Sequence, residues 1–334
     1  MIRGRICKCM RKLPLAAVGL LLAPALVLLA QEEKVLKIDV DVVNLFFTVR
    51  EKKGGLIGNL NKEDFTVSED GKPQAIKYFT RENDLPLTIG LLVDVSGSQA
   101  NLIEVERNAA SQFFSRVLRP KDMAFLISFG SDAELLQDYT NSTKLLKAGL
   151  EGLRVNSDVS GAGGNSGPVP TASRPHGTVL YDTVYLASHD QLVGQVGRKA
   201  LVLITDGVDQ GSRYKIEQAI EQAQKADAII YSIYYLDSRA YGGYMSFGGG
   251  GEGYLKKMSE DTGGRVMKVD NKNSLQSIFD QISQELRSQY SIGYTPTNPS
   301  ATGGFRRVEV HVPQREKEVK VQVRKGYYAS NASR

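Results

Sequence analysis

Residues 91–100 read LLVDVSGSQA: an aliphatic run, an aspartate, then two serines at alternate positions. The run reaches back to Leu85 as LPLTIGLLVDVS (85–96) and is almost unbroken in its apolar character, as expected of a strand buried on both faces. Strands of that kind belong to parallel sheets, in which ligands bind beyond the carboxyl ends of the strands. Asp94 stands at such an end. While the backbone stays extended, residues 94, 96 and 98 point to one side, and Gly97 is expected to permit a tight turn there. One carboxylate and two hydroxyls are oxygen donors, which suit a hard divalent ion such as Mg²⁺ rather than zinc or copper.

Outward from this strand the chain alternates between strands and amphipathic helices. Leu102, Ile103, Val105, Phe113, Phe114 and Val117 recur at helical spacing; MAFLISFG (123–130) is a strand and AELLQDYT (133–140) an antiparallel neighbour. Helices follow in TKLLKAGLEGL and TVLYDTVYLASHDQLV, then a buried strand in KALVLITDG (199–207). Ser212 is placed to cap the helix RYKIEQAIEQAQKA. DAIIYSIYYL, the helix GYLKKMSEDTG, GRVMKVD and a last helix carrying Leu275, Ile278, Phe279, Ile282 and Leu286 complete the series. The fold class is therefore α/β, a doubly wound, mainly parallel, Rossmann-like sheet over residues 85–289.

The flanks are different. Residues 34–84 read as strands and turns, with two short strands around Glu69-Asp70-Gly71-Lys72, and residues 290–330 alternate strictly through Val308, Val310, Val312 and Val319, Val321, Val323. Three strands make a poor core alone, so both sets are expected to pack together as one flanking β module. Two long Gly/Ser-rich loops, 155–177 and 236–253, interrupt the α/β part and are read as functional or disordered. In the second, Arg239, Tyr241, Tyr244 and Phe247 have the composition of an adaptable contact surface.

The chain has 334 residues and a formal net charge of +5. Residues 1–30 hold five basic residues and no acid, and without them basic and acidic residues are equal at 37 each. Bulk charge thus gives no support for nucleic-acid binding. The basic start and the apolar stretch LPLAAVGLLLAPALVLLA (13–30) read as a signal peptide cut after Ala30, which directs the chain to a periplasmic or secreted location. The alternative is an uncleaved membrane anchor, the one circumstance in which a membrane partner is expected. Both cysteines, Cys7 and Cys9, fall in this segment, so a mature chain has no thiol for disulfides or zinc, and the three histidines show no ligand spacing.

Asp94-x-Ser96-x-Ser98 behind a buried strand, Thr178 opening the helix in HGTVLYDTVYLA (176–187), and Asp206 closing the strand in LVLITDGVD (201–209) together resemble the metal-ion-dependent adhesion site of von Willebrand factor type A domains. The likeness covers residues 85–289. The flanks NLNKEDFTVSEDGKPQ, YSIGYTPTN and GYYA are similar to those of a von Willebrand A-related family described from acidobacteria. The resemblance implies that Ser96, Ser98 and Thr178 supply hydroxyl oxygens to an ion while Asp94 and Asp206 act directly or through water. The ion implied is Mg²⁺, with Mn²⁺ or Ca²⁺ as alternatives. No small-molecule cofactor is implied.

With at most two carboxylates facing a doubly charged ion, the site is expected to accept an Asp or Glu carboxylate from a partner protein. Asp209 lies nearby as a further contact residue. The plainer reading is that Ser96, Ser98 and Thr178 cap helices and Asp94 favours a helix N-terminus. A non-catalytic binding protein is the principal expectation. A Mg²⁺-assisted hydrolase of phosphatase type is the alternative, although the motif lacks a nucleophile or base held by a third group. A structural envelope component with an incidental metal site is the other alternative.

Overall fold

The computed structural model of the chain describes residues 42–82, 85–155, 177–236, 250–298 and 304–329. At its centre lies a six-stranded sheet built from β5 (Leu87–Asp94), β6 (Met123–Phe129), β7 (Ala133–Thr140), β8 (Arg198–Thr205), β9 (Ala228–Tyr234) and β10 (Val266–Lys268), in the order β10-β9-β8-β5-β6-β7. All pairings are parallel except β6 with the edge strand β7. Every residue of β5 is buried, as its unbroken apolar run requires.

Helices cover both faces. On one side α1 (Ile103–Val117), α2 (Thr143–Glu151) and α6 (Leu275–Arg287) bring Phe113, Phe114, Leu146, Leu150, Ile278 and Phe279 against Leu87, Ile89, Leu91 and Val93. On the other, α3 (Leu180–Leu186), α4 (Ile216–Lys225) and α5 (Gly250–Thr262) pack Leu180, Val184, Ile220, Ala223 and Met258 against Leu92, Phe125, Leu201 and Leu203. The α1 face is phased differently from the expectation. Val105 is exposed, and Glu106 takes a fully buried position between Ile103 and Ala110. The spacing 103, 106, 110, 113, 117 keeps the helical period, so geometry places a carboxylate inside where a hydrophobic residue a step earlier drew attention.

The strand order has a functional consequence. From β5 the chain moves outward through β6 to β7; later it returns to the opposite side of β5 as β8 and moves outward through β9 to β10. The connections leaving β5 and β8 therefore diverge, and a crevice opens between the carboxyl ends of these two strands.

Beside the α/β part lie two four-stranded antiparallel sheets. One has the order β13-β1-β11-β4, with β1 (Val43–Glu51), β4 (Ile76–Glu82), β11 (Gln289–Tyr294) and β13 (Val319–Val323). The other has the order β14-β12-β2-β3, with β2 (Thr66–Glu69), β3 (Lys72–Gln74), β12 (Gly304–His311) and β14 (Gly326–Ala329). Each sheet mixes strands from before and after the α/β part: β1 pairs with β11 and β13, and β2 with β12. Asp70 and Gly71, both at positive φ, make the tight β2–β3 turn. Leu45, Phe47, Phe65, Tyr290, Ile292, Val308 and Val310 form the core between them. Glu69 is buried there. It accepts hydrogen bonds from Tyr294 Oη (2.7 Å), Tyr327 Oη (2.9 Å) and Arg306 Nη1 (2.8 Å).

Candidate metal centre

Asp94 ends β5, and Asp206 follows β8 by one residue, so register alone sets them at the mouth of the crevice. Both are buried. Asp94 Oδ1 accepts from Ser96 N (2.9 Å), which turns the chain after the strand, and Oδ2 accepts from Thr205 Oγ1 (2.6 Å). Ser98 Oγ donates to Asp206 Oδ2 (2.7 Å). The Ser96 and Ser98 hydroxyl oxygens lie 3.1 Å apart. Ser98 gives its one proton to Asp206 and the Ser96 side chain also reaches the Asp94 carboxylate, so the two serines link both acids. Asp206 Oδ1 accepts from Val208 N (3.0 Å).

Thr178 arrives from a third loop through its backbone. The amide of the next residue, Val179, bonds to Gly130 O (2.8 Å) just past β6, whose Phe129 O receives Val95 N (2.7 Å). The Thr178 carbonyl accepts from Gln210 N (3.0 Å) on the loop that carries Asp206. The threonine is thus tied to both other loops and is itself buried.

Capping does not explain the serines. Ser96 is the N-cap of the 3₁₀ turn Gly97–Gln99 but its side chain makes no cap bond, and α1 begins after Leu102 without a side-chain cap. The hydroxyls are turned on each other and on Asp206 instead. Ser212 corrects the expectation made for it. Its Oγ accepts from Tyr181 N (3.0 Å) and Asp182 N (3.1 Å), so it caps α3 from a neighbouring loop, while Lys215 precedes α4. The reason is local: Arg213 N and Tyr214 N are drawn to Asp182 Oδ1 (2.8 Å each), so α4 starts only at Ile216. Asp209 belongs to the same cap, its Oδ1 accepting from Tyr181 N (3.2 Å) and Ser212 Oγ (2.5 Å). Arg239, Tyr241, Tyr244 and Phe247 lie outside the described residues.

The expectation for Gly97 is also corrected. A Cβ built there meets nothing within 4 Å. The glycines that the site needs are Gly207 and Gly251. Gly207 has φ +77°, and a Cβ on Gly251 would lie 2.0 Å from Asp206 O, because the start of α5 crosses directly over the Asp206 loop.

Electrostatics sets this site apart. Burial pushes the Asp94 carboxyl up to about 6; the hydrogen bonds from Ser96 and Thr205 oppose that, and the Asp206 charge adds to it. Among the described residues no ion pair is formed by Asp94. Nor do three His, Cys, Asp or Glu residues gather to hold an ion among the described residues. The donors are two carboxylates and hydroxyls, all oxygen, around a place where like charges crowd. That donor set fits a hard divalent cation and gives no nitrogen or sulfur to a softer one. His189 pairs with Asp190 (2.6 Å), and His311 lies between Glu309 and Glu316 (3.6 Å each), all on the surface.

Thr205 and Glu106 were missed by motif reading. Thr205 holds Asp94 by its hydroxyl, and the polar residue that closes LVLIT (201–205) was the available signal. Glu106 interrupts an apolar helix face, which was its signal.

No family model and no curated protein matches the chain. Solved structures do resemble it. The protein BatB of Bacteroides thetaiotaomicron is 19% identical with a TM-score of 0.43, covering 60% of this chain and 97% of that one. The vWF domain of the type V pili tip protein Mfa5 from Porphyromonas gingivalis is 14% identical with a TM-score of 0.41, covering 60% and 95%. Proximal thread matrix protein 1 from the mussel byssus, with a zinc-occupied MIDAS motif, is 14% identical with a TM-score of 0.45, covering 66% of this chain and 50% of that one. Likenesses this distant carry no functional weight. The strand order, the antiparallel edge strand and the motif residues at the ends of β5 and β8 give the α/β part of this chain a von Willebrand factor A-type fold.

Proposed function

We propose that the chain is an exported, non-catalytic binding protein that captures an acidic group of a partner protein through a divalent cation held by Asp94, Ser96, Ser98, Thr178 and Asp206. The observation that carries this reading is the hydrogen-bonded run Ser96–Ser98–Asp206 beside Asp94. In it, side chains from two strand ends meet with hydroxyl and carboxylate oxygens alone. When bound, the ion supplies an electrophilic centre for a carboxylate oxygen from outside. Ser96 and Ser98 are neutral and add no charge beyond the two of Asp94 and Asp206, so the loaded site is neutral overall and its ion stays open to a carboxylate oxygen from outside. Thr205 and the Ser96 amide fix the Asp94 carboxylate so that it does not reorganise on binding. Mg²⁺ is the ion proposed, on the oxygen-only donor set.

The division of the chain belongs to the same proposal: a leader over 1–30, an α/β unit over 85–289, and a β module from 34–84 and 290–330 that carries the unit. The edge-on contact of Tyr181 and Tyr254 near Asp209 adds aromatic surface beside the crevice, which suits a protein partner.

Affinity capture from an envelope extract tests this. With Mg²⁺ the protein retains a partner that EDTA releases, and the Asp94→Ala variant retains none. Equal retention by variant and parent, in Mg²⁺ and in EDTA alike, contradicts it.

A further inference from the structure

Gln99 follows Ser98 directly, closes the 3₁₀ turn Gly97–Gln99 and is fully buried. Its Nε2 donates to Tyr235 O (3.3 Å), while its Oε1 has no hydrogen-bond partner among the described residues. A buried amide satisfied on one side only is costly, and Met or Leu fills similar space without that cost. What the amide contributes is therefore the one bond it makes.

That bond runs across the sheet. Tyr235 is the residue after β9, and β9 lies on the far side of β8 from β5. Gln99 thus ties the loop leaving β5 to a strand two places away. Tyr235 N donates in turn to Thr205 O (3.1 Å), and Thr205 Oγ1 donates to Asp94 Oδ2 (2.6 Å). The circuit closes through the chain itself, from Asp94 through Ser96 and Ser98 back to Gln99. Within it the two serine hydroxyls are held from both ends. One end is Asp94, whose Oδ1 accepts from Ser96 N (2.9 Å), and the other is Gln99. Gln99 N also donates to Ser96 O (2.9 Å), so a shift of Gln99 carries both serines with it. Packing does not fix the tip of the turn: a Cβ at Gly97 meets nothing within 4 Å, and the bond from Ala100 N to Gly97 O is long at 3.4 Å.

We propose that Gln99 is a positioning residue of the cation site, one that sets its preference for Mg²⁺ over Ca²⁺ by pinning the Ser96–Ser98 turn to the end of β9. This rests on the reading of Asp94 and its neighbours as a divalent-cation site. Mg²⁺ demands near-ideal octahedral geometry at about 2.0–2.1 Å, whereas Ca²⁺ accepts irregular shells at about 2.3–2.6 Å. Hydroxyls held in place favour the first ion and penalise the second. Once the turn is released, Mg²⁺ must order it on binding, and Ca²⁺ can spread it.

The test titrates Mg²⁺ and Ca²⁺ separately, by calorimetry at pH 8, into the parent and into Gln99→Met, which keeps the length and removes the donor. The expected result is a loss of about tenfold in Mg²⁺ affinity, the order that one hydrogen bond supplies, against less than about threefold for Ca²⁺. The preference for Mg²⁺ therefore falls. A role in filling space alone would leave that preference unmoved, because damage to the fold as a whole weakens both ions alike. Thermal melts in EDTA verify the folded state, and Gln99→Leu repeats the titrations if the Met variant misfolds. A preference that is unchanged or rises overturns the inference. Failure of both variants to fold also overturns it, by assigning the amide to the fold alone. A parent that binds neither ion overturns the cation site itself, and this inference with it; a parent that binds Mg²⁺ beside variants of unchanged preference overturns only the role of Gln99.

Discussion

Glu69 in the β module and Asp94 in the α/β part are both buried carboxylates, set in opposite surroundings. Around Glu69 stand an arginine and two tyrosines, and all three donate to it. Burial and the hydrogen bonds to Glu69 push the Tyr294 and Tyr327 hydroxyls well up, so they remain donors over the whole accessible pH range. This carboxylate ties β2, β11, β12 and β14 together and has nothing left to offer a ligand. Asp94 has hydrogen bonds from Ser96 and from the Thr205 hydroxyl but no cation, with Asp206 adjacent and Glu106 in its field. Negative charge is thus balanced inside the protein at one place and left unbalanced at the other. A fold gains nothing in stability from the second arrangement; a cation does.

The contrast can be broken most forcefully at Glu69. Glu69→Ala leaves Arg306 buried without its counter-charge and should cost about 3–5 kcal/mol of unfolding free energy. Mg²⁺ affinity of the folded fraction should not change. Urea unfolding and calorimetry check both, and a loss of Mg²⁺ binding there would mean that the two regions are not separate.

A second consequence concerns pH. The unfolded Asp94 carboxyl titrates near its ordinary value while the folded, metal-free one is held up to about 6, so the folded state binds the extra proton between them. Metal-free stability should therefore fall as pH rises from about 4 to about 6, by up to about 3 kcal/mol from this group. Mg²⁺ requires the carboxylate, so its affinity should fall as pH drops below about 6. Thermal melts in EDTA and in Mg²⁺ across this range should diverge with rising pH; parallel curves would deny that Asp94 carries the linkage.

The smallest effect separates two glycines. Gly251→Ala forces a methyl into the Asp206 carbonyl and should cost about 1–3 kcal/mol, with weaker Mg²⁺ binding. Gly97→Ala, with open space around it, should stay within about 0.5 kcal/mol of the parent and bind Mg²⁺ alike. Unfolding melts of the pair decide it.

These effects also mark how much could be read from residues in order. The buried run ending in Asp94 and the alternation of strands and helices carried the α/β class, because a doubly buried strand has few other homes. The Asp70–Gly71 turn was legible from local chemistry. Pairings such as β1 with β11 join residues about 250 apart and have no local signature. Phase errors were made where one residue decides a face: Val105 drew attention and Glu106 was inside. Ser212 and Gly97 were assigned to the nearest helix and turn, yet their roles are set by contacts with other loops, or by the lack of any. Buried polar residues such as Thr205 are legible only once the neighbouring strand is known.

The most direct measurement is calorimetric titration of Mg²⁺ into the metal-free protein at pH 8, for the parent and for Asp94→Ala with its fold verified by circular dichroism. The account predicts one ion bound per chain in the parent and none in the variant. Binding of equal strength in both, or none in the parent, would contradict it.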